Sequence, residues 1–299
     1  MPSIKSQLPP LFIGIDGGGS KCKAVVMTAD HQILGTGIAG PGNPLHGFEQ
    51  ATNSIIDCAS LALTDAGLSR LPLSSIHAGV GLAGVNLPAI FQQMSTWQHP
   101  FLSMQLATDL SIACLGAHEG ADGAVIITGT GSCGFACVDG KEFIIGAHGF
   151  PHGDKGSGAW FGLQAAKQVL LSLDGLVANT LLTAQLMALL GCSTDTDLVE
   201  VIAHKPATFY AQFANLVLDA ADQGDVIATA IVTEGADYID HVAKRLWQQQ
   251  PKRMSIIGGL SARITPWLAP QVQQQLSTPL NPPEVGAVFF AEQQLAALF

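Results

Sequence analysis

Residues 13–21 read Ile-Gly-Ile-Asp-Gly-Gly-Gly-Ser-Lys, and no other stretch limits the fold of this chain so tightly. An apolar run, Leu11 to Ile15, ends in one carboxylate, Asp16, and then come three glycines, a hydroxyl and a cation. A second β-prone run, Ala24 to Met27, follows at once. Two short β-prone runs joined by a glycine turn predict a hairpin. Glycine lets backbone N–H groups approach an anion, because no Cβ stands in the way. A carboxylate at the mouth of such a turn suits a divalent cation that bridges phosphate oxygens. The stretch therefore predicts a nucleotide-phosphate hairpin with Asp16 on Mg2+. A Walker loop does not fit, since it needs Gly-Lys-Ser/Thr entering a helix, and here Gly19-Ser20-Lys21 leads into a strand. The plain alternative is a tight turn whose glycines serve only positive φ.

Taken in order, the chain alternates strands and helices. Gln32–Ala39 predicts a third antiparallel strand, and Gly40–Pro44 a loop on turn chemistry alone. Residues 47–66 carry Ile55, Ile56, Ala59 and Leu63 at helical spacing. A strand over 76–82, a helix over 86–98 and a strand over 101–107 follow. Thr108-Asp109 then stands where strand becomes helix, a capping position. The order β-β-β-α-β-α-β-α implies a mixed α/β sheet. The pattern then restarts: a buried strand, Ala124 to Thr128, a glycine turn, Gly129 to Gly134, and two further β-prone runs. Gly129-x-Gly131-x-x-Gly134 matches the dinucleotide fingerprint literally, but that fingerprint must open a helix, and a β-prone segment follows here. The loop over 146–158 is dense in Gly and His and leads into a helix over 159–173, which reads as a binding loop at a helix N-terminus. Asp154 in it can accept sugar hydroxyl hydrogen bonds. Helices are expected over 176–190, 209–222, 225–249 and 284–298, with a strand, Met254 to Ile257, before Gly258-Gly259.

The 299 residues suffice for one large or two medium domains. With 48% hydrophobic and only 12% charged residues the chain can build a substantial core. No apolar run approaches the ~18 residues of a membrane span, and no signal peptide is read at the N-terminus. A net charge of −10 argues against nucleic acid or an anionic membrane as partner. The six cysteines form no Cys-x-x-Cys pair, which favours reduced thiols and a cytoplasmic setting.

Ile13–Lys21, Thr108-Asp109, Gly129–Ser132, Gly153–Gly158 and Gly258–Ala262 together resemble the phosphate and adenosine motifs of the sugar kinase, actin and heat-shock ATPase superfamily. Within it the chain is similar to the BadF/BadG-type branch that contains amino-sugar kinases. The motifs span residues 13–262 in the family's order. The resemblance implies a two-lobed actin-like (ribonuclease H-like) fold with a duplicated β-β-β-α-β-α-β-α pattern and ATP in a cleft. The first lobe is expected over 1–118, completed by a helix at 285–299, and the second over 119–284. It further implies that Asp109 is the general base on the sugar's 6-hydroxyl and that Asp16 holds Mg2+ through water. Gly17, Gly18, Gly19, Ser20, Lys21, Thr130, Gly131 and Ser132 would contact phosphates, and Gly258 and Gly259 would underlie the adenosine. Asn43, Gly149 and Asp154, with Asp109, would bind the sugar.

The activity implied is ATP-dependent phosphorylation of an amino sugar, N-acetylglucosamine first and glucosamine as the alternative, with a homodimer expected. An ATPase activator of electron-transfer partners and a non-enzymatic sugar sensor are the other readings. One departure stands out. Lys155 occupies a place where the family commonly carries glutamate. If Lys155 points into the sugar pocket, its charge disfavours a protonated amine and favours the neutral acetamide. If it points to solvent, that argument lapses.

Overall fold

In the computed structural model, which describes residues 10–297, the apolar runs become strands and the glycine runs the turns between them. β1 (Leu11–Gly17), β2 (Cys22–Thr28) and β3 (Ile33–Ala39) are followed by α1 (Phe48–Asp65), β4 (His77–Leu82), α2 (Pro88–Ser95), β5 (Ser103–Thr108) and α3 (Asp109–Ala117). The pattern resumes with β6 (Gly123–Thr128), β7 (Ser132–Val138), β8 (Lys141–Gly146) and α4 (Gly158–Leu173). Five helices come next: α5 (Leu181–Leu190), α6 (Asp195–Ile202), α7 (Ala207–Ala211), α8 (Ala214–Asp222) and α9 (Val226–Trp247). β9 (Met254–Ile257), α10 (Ser261–Ile264), α11 (Pro270–Gln275) and α12 (Pro283–Ala296) complete the order. Among the described residues no helix is long and apolar enough to cross a membrane, and no disulfide joins any of the six cysteines.

The chain divides into two units, one of residues up to Gly123 together with those from Pro279 on, the other Ala124–Thr278. The sequence draws these boundaries at 118/119 and 284/285. The segment 279–284 lies with the first unit because Leu280 and Asn281 donate their amides to the Ala117 and Gly116 carbonyls.

The first unit holds a five-stranded sheet in the order β3-β2-β1-β4-β5. β1 runs antiparallel to β2 and parallel to β4, and β4 parallel to β5. One face packs on α1, where Ile55, Cys58, Ala59 and Ala62 meet Ile13, Ile15 and Val26. The other face takes α12, through Val285, Val288 and Phe289 against Phe12, Val25 and Met27. Burial on both faces is why β1 reads as a continuous apolar run and not an alternating one. α12 lies so close to the sheet that a Cβ on Gly14 would come within 1.9 Å of the Glu284 carbonyl oxygen, and one on Gly79 within 1.8 Å of that of Ala287. Only glycine admits this approach.

The second unit has a four-stranded sheet, β8-β7-β6-β9, with a lone bridge from Met254 to Leu276 where a fifth strand would stand. Its core fills the space between the sheet and α4, α8 and α9, around Phe161, Phe213 and Ile126. The helix expected from 176 begins at Leu181, because Thr180 caps it and both Thr180 Oγ1 and the Leu181 N–H donate to the Asp225 carboxylate (2.8 and 2.7 Å). α6 was not foreseen. Its capping box, Thr194 with Asp197, was nevertheless legible in the sequence. The helix expected over 209–222 is two helices, α7 and α8, with Phe213 between them.

Candidate active site

In the first unit the candidate side chains Asp16 and Asp109 stand where the parallel strands end, since the register sets Asp16 beside Gly81 and Leu82 beside Thr108. Carboxyl ends of parallel strands are where α/β sheets bind ligands. The turn after β1 is closed by the Gly18 N–H donating to the Lys21 carbonyl (2.9 Å), and Gly19, Ser20 and Lys21 are exposed on it. The Gly42 N–H donates to the Gly18 carbonyl (2.9 Å), which brings the Asn43 loop against this turn. Asn43 caps a short 3-10 helix, Pro44–His46, through Oδ1 accepting from the Leu45 N–H (2.9 Å). Its amide NH2 is left as a donor.

Asp109 is the first residue of α3, but the cap is Thr108, whose Oγ1 accepts from the Ser111 N–H (3.1 Å). The Asp109 carboxylate accepts from the Leu110 N–H (3.0 Å) and from its own backbone N–H, and the cap that reaches Ser111 is the Thr108 hydroxyl, so the capping role does not explain it. Burial pushes its pKa above the ordinary carboxylate value, against the Leu110 bond. Asp16 is pushed up to about 7, first by burial and then by the charges of Asp109 and Glu284, with Lys23 and Lys21 opposing. Two carboxyls thus face each other's field in a partly dry corner. Such an arrangement is relieved by a divalent cation or a proton.

Glu284 and Lys23 were not singled out in the sequence. Lys23 is directly opposite Asp16 in the β1–β2 register, a pairing that the hairpin itself implies. Glu284 had no sequence signal, for it arrives from the far end of the chain on α12.

In the second unit the turn Gly129–Ser132 is strapped to the start of α4. Gly158 and Ala159 donate their amides to the Gly129 and Thr130 carbonyls (2.8 and 3.2 Å). Thr130 is exposed. Ser132 is not available to a phosphate: it is buried, and its hydroxyl donates to the Lys155 carbonyl (2.8 Å), bracing one loop on the other. Gly258 and Gly259 follow β9 and lie against the same turn, with the Leu260 N–H donating to the Thr128 carbonyl (3.0 Å).

Asp154 has a left-handed backbone (φ 61°), rare for a residue with a side chain. Burial raises its pKa, opposed by backbone N–H donors from Gly149 and Ser132 and by His148. Gly149 and Asp154 are thereby brought together. A cavity of about 630 Å3 adjoins Asp154, lined by Thr130, Gly131, Phe150, Pro151, Leu163 and Tyr210 among others. Lys155 does not line it. Its ammonium pairs with Glu234 (2.8 Å) and lies 5.8 Å from the Trp160 ring centre, so the charge argument for the acetamide lapses.

Among the described residues no three His, Cys, Asp or Glu side chains converge as a metal-ligand set. A cation at Asp16 would therefore take its other ligands from phosphate and water, the usual habit of Mg2+.

The paired glycine turns on mixed sheets define the class of the actin-like ATPases. A Streptomyces griseus ROK family glucokinase solved with glucose and AMPPNP shares this fold, with a TM-score of 0.56 at 19% identity over 95% of this chain and 99% of that one. More particularly, the chain belongs to the BadF/BadG/BcrA/BcrD ATPase family, whose profile matches residues 13–291. It is 35% identical over 283 residues to the glucosamine kinase GspK of Vibrio cholerae, covering 94% of this chain and 95% of that protein. It is 29% identical over 233 residues to the N-acetylmuramic acid/N-acetylglucosamine kinase of Clostridium acetobutylicum, covering 75% of each. The crystal structure of a Chromobacterium violaceum protein, provisionally named an N-acetylglucosamine kinase, superposes with a TM-score of 0.89 at 29% identity, covering 95% of this chain and 99% of that one.

Proposed function

We propose that this protein transfers the γ-phosphoryl group of ATP to the 6-hydroxyl of an amino sugar. The observation that carries the reading is Asp109: a half-buried carboxylate at the end of a parallel strand, with the helix cap assigned to Thr108, beside Asp16. Phosphoryl transfer asks a protein for positioning and charge stabilisation more than for covalent chemistry. Asp109 takes the proton of the attacking hydroxyl, and its rigid seat at a strand end keeps it aimed. Burial, by raising its basicity, suits that task. Asp16 holds Mg2+, which when bound neutralises charge on the phosphates. Gly17, Gly18, Gly19, Ser20 and Lys21 contact phosphate, as do Thr130 and Gly131, and Gly258-Gly259 underlies the adenosine. Asn43, Gly149 and Asp154 bind sugar hydroxyls.

N-acetylglucosamine is the sugar we place first. With Lys155 turned to Glu234, what supports it is the apolar wall that Phe150, Pro151, Leu163 and Tyr210 offer an acetamide methyl in the cavity beside Asp154. Glucosamine is the second reading, favoured by the 35% identity to the Vibrio cholerae kinase. A cytoplasmic homodimer completes the proposal, with the exposed Ile33, Leu34 and Ile38 on edge strand β3 as support. ADP release with each sugar, and phosphorus NMR of the product, test the activity and the position. Sugar-independent ADP release would remove the kinase reading and leave an ATPase. Sedimentation tests the dimer.

A further inference from the structure

Asp16 and Lys23 are direct partners in the antiparallel register of β1 and β2. Such partners stand on one face of the sheet with Cβ atoms about 4.5–5.5 Å apart. An ammonium so placed is the natural neutraliser of that carboxylate. Lys23 instead pairs with Glu284, its Nζ 2.5 Å from Oε1, and among the described residues no ion pair joins it to Asp16. Glu284 is only 5% exposed in its side chain. It is held there by two independent features. It stands in the first turn of α12, where the helix end favours negative charge. That turn is also pressed onto the sheet at Gly14, whose missing Cβ leaves room for the Glu284 backbone itself.

We propose that Glu284 is a positioning residue for the divalent cation: by taking the Lys23 ammonium it keeps that ammonium off Asp16, and so leaves the Asp16 carboxylate to the metal. The inference rests on the reading of Asp16 as the Mg2+ carboxylate. A lysine bonded to Asp16 and a cation coordinated there compete for the same oxygen lone pairs. Lys21, on the exposed turn, and Asp109 also bear on Asp16, but among the described residues the ion pair of Glu284 is with Lys23. The carboxylate on α12 therefore decides which way Lys23 reaches.

Mn2+ binding to the ADP complex, followed by electron paramagnetic resonance, tests this without relying on turnover. Glu284→Gln releases Lys23 and is expected to weaken Mn2+ binding about tenfold, an ammonium close to a carboxylate being a strong competitor in a partly buried site. Adding Lys23→Met to Glu284→Gln removes the competitor and should return the affinity to within about twofold of the wild type. A variant with both Lys23→Met and Glu284→Met replaces a mostly buried ion pair by apolar side chains, a change that proteins often accept, and it should bind Mn2+ as the wild type does. Unchanged binding in Glu284→Gln, no recovery on adding Lys23→Met, or lost binding in the double methionine variant each overturns the inference. Asp16→Asn run alongside separates the two readings. If it leaves Mn2+ binding intact, the metal assignment falls and this inference with it. If it abolishes binding while Glu284→Gln is indifferent, only the role of Glu284 falls.

Discussion

Replacing Asp16 by asparagine should make the ligand-free protein more stable while disabling it. The Asp16 carboxyl is held up to about 7 by burial, by Asp109 and by Glu284, against 3.8 for an ordinary aspartate. The folded chain thus binds this proton more tightly than the unfolded chain. Its stability must fall as pH rises from about 4 to about 7, then level off once the group is ionised in both states. At 1.36 kcal/mol per tenfold difference in proton affinity, the penalty is about 1.5 kcal/mol at pH 5 and about 4 kcal/mol above pH 7. Asp16→Asn keeps the shape and removes the charge, so its advantage over the wild type should be about 2–3 kcal/mol larger at pH 8 than at pH 5. Thermal unfolding of the ligand-free proteins would show this as an extra shift of about 5–10 °C at the higher pH. Mg2+ with ADP should stabilise the wild type and leave the variant unmoved. A shift of equal size at both pH values, or a loss of stability at pH 8, would falsify the account of Asp16 as a carboxylate strained by its surroundings.

Three further outcomes are expected. Asp109→Asn should lower turnover by a factor of roughly 10² or more with ADP binding retained; near wild-type turnover at saturating sugar would remove Asp109 from the chemistry. Gly131→Ala would set a Cβ 2.7 Å from Asp154 Oδ2, and the displaced carboxylate should raise the sugar KM about tenfold with little change in the ATP KM; an unmoved sugar KM counts against Asp154. Lys155→Gln should leave the N-acetylglucosamine to glucosamine specificity ratio within about twofold, because Lys155 faces Glu234 and not the cavity; a shift toward glucosamine would show that the lysine reaches the sugar after all.

What was readable in the sequence is what local chemistry dictates. The glycine turns at 17–21 and 129–132 announce themselves through composition, and Thr108-Asp109 through its place between an apolar run and a helical one. α6 could have been found from Thr194 and Asp197, a signal of the same local kind. The remainder depended on residues far apart in the chain. Ser132 looks like a phosphate hydroxyl in its motif, but the Lys155 carbonyl, 23 residues on, claims its proton. The direction of Lys155 is decided by Glu234 on α9. Glu284 reads as an ordinary first-turn acid until α12 is laid across β1, and no periodicity in residues 283–296 says which sheet that helix will choose.

The way α12 seats on the first sheet also has a consequence for biosynthesis. Residues 124–278 form the second unit and leave the ribosome before the helix that covers Phe12, Val25 and Met27. At 5–20 residues per second, translating that stretch takes roughly 10–30 s. During this interval the first sheet has one apolar face without its cover and Lys23 without Glu284. The nascent chain is then a client for chaperones, and its Asp16 corner is still unfinished. A message cut short before codon 283 would therefore yield an aggregation-prone fragment, not a partly active ATPase.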